Sequence, residues 1–546
     1  MTSTTRRDFV KTLAAASVLA PEITNAAQAA TPASDAAKGG RALPERFDYV
    51  IAGAGHNSLI CAAYLSVAGY RVLVLEGQDQ IGGGCKTNDK MLSGFMVDWC
   101  STTHGLINRN PLLANNELKL EHYGYELLRP DVIMHYPFRD GASLTVFQND
   151  VERTAATIAL VSKKDAETFR RMAAARKTIA PTSPDGADKT RVQARFKTLS
   201  AMTGFSVARQ IWDSPYMQAA AVSGGKFNGP SAAELGTGMQ AFSMLDHLGG
   251  RPIPKGGSGM LTVALGRLIE ANAGVILTSM PVTGILIEGG QCKGVECADG
   301  RKFQAKLGVI STLHAKHLLA MTPRALWGDA MADTVDLMQP EMAMFQFHFA
   351  LTEPPRYPLA GGGSISTPEA SIMENAANIF LLNEDDARGE LHLDDYPLQV
   401  CHPSVFDTTR VPEGRGLVKI QGPMPYALKQ GPEHWDQIKD EVADAVMARY
   451  MALTANLTKD KILAKMAFSP LDLERNNATM WRGSVHAFDN RPGNFVPYRL
   501  SIPGLYQTGS CTAPGGGISG LPGRNAAEAV LRDQGRDINQ VIASAR

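Results

Sequence analysis

Neither sign of charge predominates in this chain of 546 residues, since 54 Lys and Arg stand against 54 Asp and Glu. There is no basic excess, no basic helix and no run in which aromatics interleave with Lys and Arg. A nucleic-acid partner is therefore not expected. Long apolar runs are also missing. The stretch over residues 12–20 is too short to cross a bilayer, so any membrane contact would be peripheral, through a surface patch. Metal-ligand spacing is absent from the seven cysteines, Cys61, Cys85, Cys100, Cys292, Cys297, Cys401 and Cys511. None forms a CxxC pair, and no metal is expected. Cys292 and Cys297 could face each other across a hairpin, but a pair of reduced thiols is the preferred reading.

What is present begins with an address. Arg6 and Arg7, followed by Asp8, Phe9 and Lys11, make a twin-arginine pattern. A short apolar run and the small residues Ala27 and Ala29 follow in the order of a cleavable export signal over residues 1–30. The twin-arginine machinery carries proteins already folded around a cofactor, so the expected destination is the periplasm. Removing residues 1–30 takes away three basic and two acidic residues and leaves a net charge of −1. Residues 31–44, rich in Ala, Ser, Lys, Gly and Pro, read as a flexible lead-in.

The 52 glycines gather in two places, near residues 53–84 and 509–523. At the first, residues 47–52 (FDYVIA) form a β-rich run that enters Gly53, Ala54, Gly55, His56, Asn57 and Ser58. An Ala- and Leu-rich helix follows, then an apolar strand over residues 70–76 that ends in Glu76. This strand–turn–helix–strand order is the setting in which a glycine turn binds a dinucleotide. Gly53 permits the tight turn, and Gly55 lets the backbone approach a pyrophosphate at the helix N-terminus. Ser58 replaces the usual third glycine. Glu76 can accept ribose hydroxyls, which disfavours a 2′-phosphate. His56 reads as part of the turn. A second glycine cluster, Gly82, Gly83 and Gly84 before Cys85, can bring more backbone amides to a diphosphate. A simple NAD domain has no need of it, so FAD is the expected cofactor.

The segment VIAGAGHNSLICAAYLSVAGYRVLVLEGQDQIGGG resembles the N-terminus of the phytoene desaturase-like flavoproteins, in particular the pyridine nucleotide-disulfide oxidoreductase domain-containing protein 2 subgroup. Amine oxidase relatives usually carry Arg where Gly84 stands. The segment IPGLYQTGSCTAPGGGISGLPGRNAAEAV is similar to the C-terminal flavin segment of the same family. The resemblance implies a fold of the α/β class: a Rossmann-like FAD-binding domain of the amine oxidase type with an interleaved α+β substrate domain. It implies non-covalent FAD, with backbone at Val282 against the adenine, Gly509 and Ser510 at the ribityl-phosphate, and Gly517, Ile518 and Ser519 near the isoalloxazine. Gly83, Gly84 and Cys85 join that site. Relatives commonly have His where this chain has Ala513, which removes a catalytic candidate.

Between the ends, the FAD domain is expected over residues 45–135, 251–340 and 495–546, and the substrate domain over 136–250 and 341–494. Residues 342–351 (MAMFQFHFAL) nearly alternate and read as a sheet strand. Strands are also expected over 302–306 and 309–312. The polar candidates near loops are His104, His247, Arg482 and His486. The expected reaction is hydride transfer from an apolar isoprenoid or aromatic substrate to flavin N5, with O2 or a quinone as electron acceptor. Alternatives are an exported amine oxidase and a non-catalytic FAD-bound binding protein.

Overall fold

A computed structural model describes residues 46–179, 187–224, 230–340, 343–359, 362–486 and 495–545. The export signal and the lead-in lie outside the described residues. Along the chain, the elements that place the site are β1 (Arg46–Ala52), α1 (His56–Val67), β2 (Val72–Leu75), β3 (Val132–Pro137) and β4 (Ser143–Phe147). Then come α2 (Met260–Ala271), β5 (Val275–Leu277), β6 (Val282–Glu288), β7 (Gln291–Cys297), β8 (Lys302–Ser311) and β9 (Met344–Leu351). The remainder are β10 (Glu369–Ile372), β11 (Leu398–Cys401), β12 (Gly416–Pro423), α3 (Trp435–Met451), β13 (Ile462–Phe468), β14 (Leu505–Gln507) and α4 (Leu521–Asp533).

The first sheet has the order β6-β7-β8-β1-β2-β5, with β14 pairing the end of β8. Strands β5, β2, β1, β8 and β14 run parallel. The end of β1 and all of β2 are buried on both faces, as a parallel sheet covered by helices requires. Helices α1, α2 and α4 share the hydrophobic cluster on one face, and a separate cluster covers the other.

Two sequence expectations change here. The strands expected over 302–306 and 309–312 are one ten-residue strand, β8. Gly308 reads as a break but serves close packing, because a Cβ there would lie 2.5 Å from the Gly504 carbonyl oxygen. Cys292 and Cys297 lie on the same strand, β7, so they do not face each other across a hairpin. All seven cysteines are free.

The second sheet has the order β13-β9-β12-β11-β10-β3-β4 and is antiparallel apart from the β10–β3 contact. Because β3 belongs to it, the domain boundary expected at residue 135 falls inside a strand. Alternation along β9 sends Phe345, Phe347 and Phe349 into the core that includes Trp435 and Tyr450 of α3. The intervening Gln346 and His348 point the other way. Helices between residues 151 and 247 cover β3 and β4.

A buried ion pair joins the segments in front of the two sheets. Arg410 and Asp98, with side chains 0% and 1% exposed, lie 3.0 Å apart. Arg410 also donates to the Met96 carbonyl at 2.9 Å, and Asp98 accepts from the Ser258 N–H at 2.9 Å.

Several imidazoles are buried without a carboxylate. His402 sits between the Thr367 carbonyl (2.9 Å) and the Tyr450 hydroxyl (2.7 Å), and burial pushes it down to about 3. Burial also pushes His135 down to about 4. The unfolded chain therefore binds more protons than the folded one below the ordinary histidine value. Stability is full above about pH 6.5 and falls as pH drops through the folded values, by up to roughly 1.4 kcal/mol per unit for each group. Thermal melts from pH 8 to pH 4 are expected to show a flat Tm above neutrality and a steep decline below it. The double variant His135→Gln with His402→Gln is expected to flatten that decline.

Candidate functional site

The carboxyl ends of β1, β8 and β14 lie side by side, and each runs into a turn at the same edge. Space there is short. A Cβ on Gly53, where φ is +95°, would lie 2.5 Å from Thr312 Cγ2. One on Gly509, where φ is +90°, would lie 2.6 Å from Thr312 Oγ1. The Thr312 side chain thus fills the room that two glycines leave, while its N–H donates to the Ala52 carbonyl at 3.0 Å. Gly55 differs: a Cβ there would meet nothing within 4 Å, and the residue faces the cavity.

The Ser58 hydroxyl lies 2.7 Å from the Gly53 carbonyl and 2.9 Å from that of Gly55, tying the turn from behind. Glu76, at the end of β2, accepts from the Ala54 N–H at 2.8 Å and from the Gln78 N–H at 2.9 Å. The second glycine turn interlocks with the first. Gly82 donates to the Ala54 carbonyl at 2.8 Å, and a Cβ on Gly83 would lie 3.2 Å from Gly55 Cα. From the far end of the chain, α4 docks on α1 at Gly523, where a Cβ would lie 2.2 Å from the Asn57 carbonyl oxygen. The Arg524 guanidinium grips Glu117 with two bonds of 2.9 Å, and Tyr64 of α1 donates to the same carboxylate. The N-terminal β1–α1–β2 unit and α4 are thereby fixed against one edge of one sheet.

One cavity of ≈ 1200 Å³ runs along this edge and on to the second sheet. Of the residues expected at the cofactor, Gly53, Gly55, Asn57, Glu76, Gly83 and Gly84 line it, as do Val282, Gly509, Ser510, Gly517, Ile518 and Ser519. Ser58 and Cys85 do not. Ser58 holds the turn through its hydroxyl, and the Cys85 sulfur is buried 3.6 Å from Ser101 Oγ. Burial pushes the Cys85 thiol up to about 12, so it is not a nucleophile at neutral pH.

The polar candidates divide in the same way. His486 lines the cavity against the Gly516 and Gly517 turn, and His247 lines it with Nδ1 3.2 Å from the Tyr136 hydroxyl. His104 does not reach it. Its ring lies fully buried between Tyr125 (2.9 Å) and Ser258 (2.8 Å), a structural position. Arg482 is exposed in a left-handed turn, 5.4 Å over the Tyr426 ring. Burial lowers His56 to about 4, and burial with the Arg251 charge lowers His247 to about 3. Both line the cavity as neutral imidazoles at physiological pH.

Sequence reading missed the wall on the second sheet. Gln346, Glu369, Gln399, Cys401 and Gln421 line the cavity, together with Arg251. Their signal was polar residues two positions apart, Gln346 and His348 in β9 and Lys419 and Gln421 in β12, with Gln399 in β11, in strands otherwise built largely of apolar residues. Among the described residues, Asp385, Glu390 and His392 could offer three ligand atoms to a metal. They already engage one another and Lys429, since His392 Nδ1 is 2.6 Å from Asp385 and Lys429 is 2.5 Å from Glu390.

The donor set fits a dinucleotide. Backbone amides of two glycine turns, an open Gly55 and the fixed Glu76 carboxylate stand along one edge. The Asn57 Oδ1 atom is buried there with no partner among the described residues. The profile of the flavin containing amine oxidoreductase family matches residues 59–393. The chain belongs to that family. It is similar to mouse pyridine nucleotide-disulfide oxidoreductase domain-containing protein 2, at 25% identity over 90% of this chain and 94% of the relative. It is also similar to one subunit of the limonene dehydrogenase of Castellaniella defragrans, at 23% identity over 91% and 97%. Similarity to the lycopene-forming phytoene desaturase of a Paracoccus species is 23% over 89% and 97%.

Among solved structures, an oxidoreductase from Methanosarcina mazei shares the fold, with a TM-score of 0.59, 19% identity and coverage of 89% of this chain and all of that one. A redesigned putrescine oxidase shares it with a TM-score of 0.57, 12% identity and coverage of 89% and 99%. The chain is thus a phytoene desaturase-like, FAD-dependent oxidoreductase.

Gly53→Ala forces a Cβ into Thr312 at a positive φ, a strain of roughly 1–3 kcal/mol at the mouth of the cofactor site. The variant is expected to purify with its flavin absorbance per chain at least halved. Gly414→Ala is the control: its φ is +72° and nothing lies within 4 Å, so it should keep its flavin.

Proposed function

We propose that the protein is an exported FAD-dependent dehydrogenase of the desaturase kind, acting on an apolar isoprenoid or aromatic substrate, with O2 or a quinone as acceptor. The observation that carries this reading is the single continuous cavity. It joins the glycine turns at residues 53–55, 83–84 and 516–517 to a chamber walled by the second sheet. A substrate in that chamber would lie against the glycine turns. Bound FAD supplies a hydride acceptor at N5 and passes the electron pair to the external oxidant.

The chain's own residues enclose and orient. Met344 and Met480 give the chamber flexible apolar walls, and Leu106 and Met239 are exposed lining residues at its margin. The neutral His56 and His247 add no charge that would repel an apolar guest. The names of two relatives, a limonene dehydrogenase and a phytoene desaturase, agree with a hydrocarbon-like substrate.

Export through the twin-arginine route, with the periplasm as destination, rests on the Arg6 and Arg7 pattern. No helix among the described residues is long and apolar enough to cross a membrane. Exposed Leu106 and Met239 at the cavity margin, and Leu235 nearby in sequence, are compatible with peripheral contact where an apolar substrate or a quinone would partition.

Anaerobic mixing with a panel of isoprenoids, alkylaromatics and amines tests the reading. Bleaching of the flavin by members of the first two classes, and recovery of its colour on adding O2 or a soluble quinone, is expected. Bleaching by amines alone would overturn it in favour of an amine oxidase.

A further inference from the structure

The chamber wall on the second sheet is not apolar. Three adjacent strands carry a glutamine at the same level: Gln346 of β9 pairs in register with Gln421 of β12, which pairs with Gln399 of β11. Strand alternation puts all three side chains on the cavity face, and all three line the cavity.

The amides are joined in sequence. Gln421 Nε2 donates to Gln399 Oε1 at 2.5 Å, and Gln399 Nε2 donates to Glu369 Oε1 at 3.2 Å. Glu369, 2% exposed, is in turn paired with Arg251, which also donates to Thr103 Oγ1 at 3.1 Å. The carboxylate charge is met by the guanidinium, so the row ends in a neutral pair. At the other end the series is unfinished. Gln346 is 1% exposed, its Nε2 makes only a long contact of 3.7 Å with Cys100 Sγ, and its Oε1 has no partner among the described residues. Thr102 Oγ1, also lining the cavity and 5% exposed, has none either.

A buried amide oxygen without a partner is costly, so a wall that holds Gln346 Oε1 and Thr102 Oγ1 unpaired is a poor one for a pure hydrocarbon. We infer that the substrate is an amphiphile: an apolar body carrying one uncharged hydrogen-bonding group, an alcohol, ketone or amide, which the Gln346–Gln421–Gln399 row receives. The row itself offers an anion no free guanidinium, because Arg251 is already paired with Glu369. A cationic group is disfavoured because the amide row holds no free carboxylate. A site built to hydrogen-bond a hydroxyl discriminates strongly against the analogue that lacks it, because its own polar groups are then left unpaired.

This rests on the dehydrogenase reading for the location of the substrate, but its test is binding. The holoprotein is titrated with matched pairs, limonene against perillyl alcohol and farnesene against farnesol, and the shift of the oxidised flavin spectrum is followed. The wild type is expected to bind each alcohol at least tenfold more tightly than its hydrocarbon. Gln346→Leu and Gln399→Leu are expected to bring that ratio to within threefold while flavin content stays unchanged. Equal affinity within each pair, no response to either alcohol, or a ratio untouched by both substitutions would overturn the inference. Loss of flavin from the variants with the ratio preserved would assign the row to the cofactor and overturn it equally. An alcohol that binds in this way without bleaching the flavin would leave the inference standing while the dehydrogenase reading fails.

Discussion

Thr312 decides how the turns after β1 and β14 meet. It stands at the carboxyl end of β8, between β1 and β14, and its side chain takes up the space where Gly53 and Gly509 have no Cβ. Three parallel strands can then release their turns toward one edge without collision. Everything needed to bind a dinucleotide lies at that edge: the amides of the first turn, the second turn interlocked with it, the Glu76 carboxylate held by two backbone N–H groups, and the Gly516 and Gly517 turn before α4. The Arg524–Glu117–Tyr64 cluster holds α4 on α1 and so keeps the C-terminal turn in place.

The same edge fixes where substrate chemistry can occur. The second sheet stands across the cavity, and the buried Asp98–Arg410 pair ties the segment before residues 100–103 to the loop before β12. Breaking such a pair leaves a buried charge without its partner, so the two halves are held in one arrangement. The glycine turns are consequently presented to one wall, the polar face of β9, β12 and β11.

Much of the first sheet is legible in the sequence because local rules suffice there. A strand, a glycine turn, an Ala-rich helix and a strand ending in acid admit few other structures, and β1, α1 and β2 fall within a few residues of their expected places. The misreadings have physical causes. Gly308 reads as the end of a strand because close packing against Gly504 cannot be seen from one segment. Residue 135 reads as a boundary because β3 is paired by β10, more than 200 residues away. His104 reads as a site residue by its place beside a loop, yet Tyr125 and Ser258 turn it inward. The amide row is hidden for a similar reason. Each glutamine is one polar residue in one strand, and only the register of three strands brings them together.

The identity of the bound cofactor is the most direct check. The purified protein should be yellow. Denaturation should release close to one FAD per chain, identified by chromatography against FMN and NADP. A colourless protein that takes up no FAD on incubation, or one that retains NADP in its place, would contradict the reading of the edge between Gly53 and Gly509 as a flavin site.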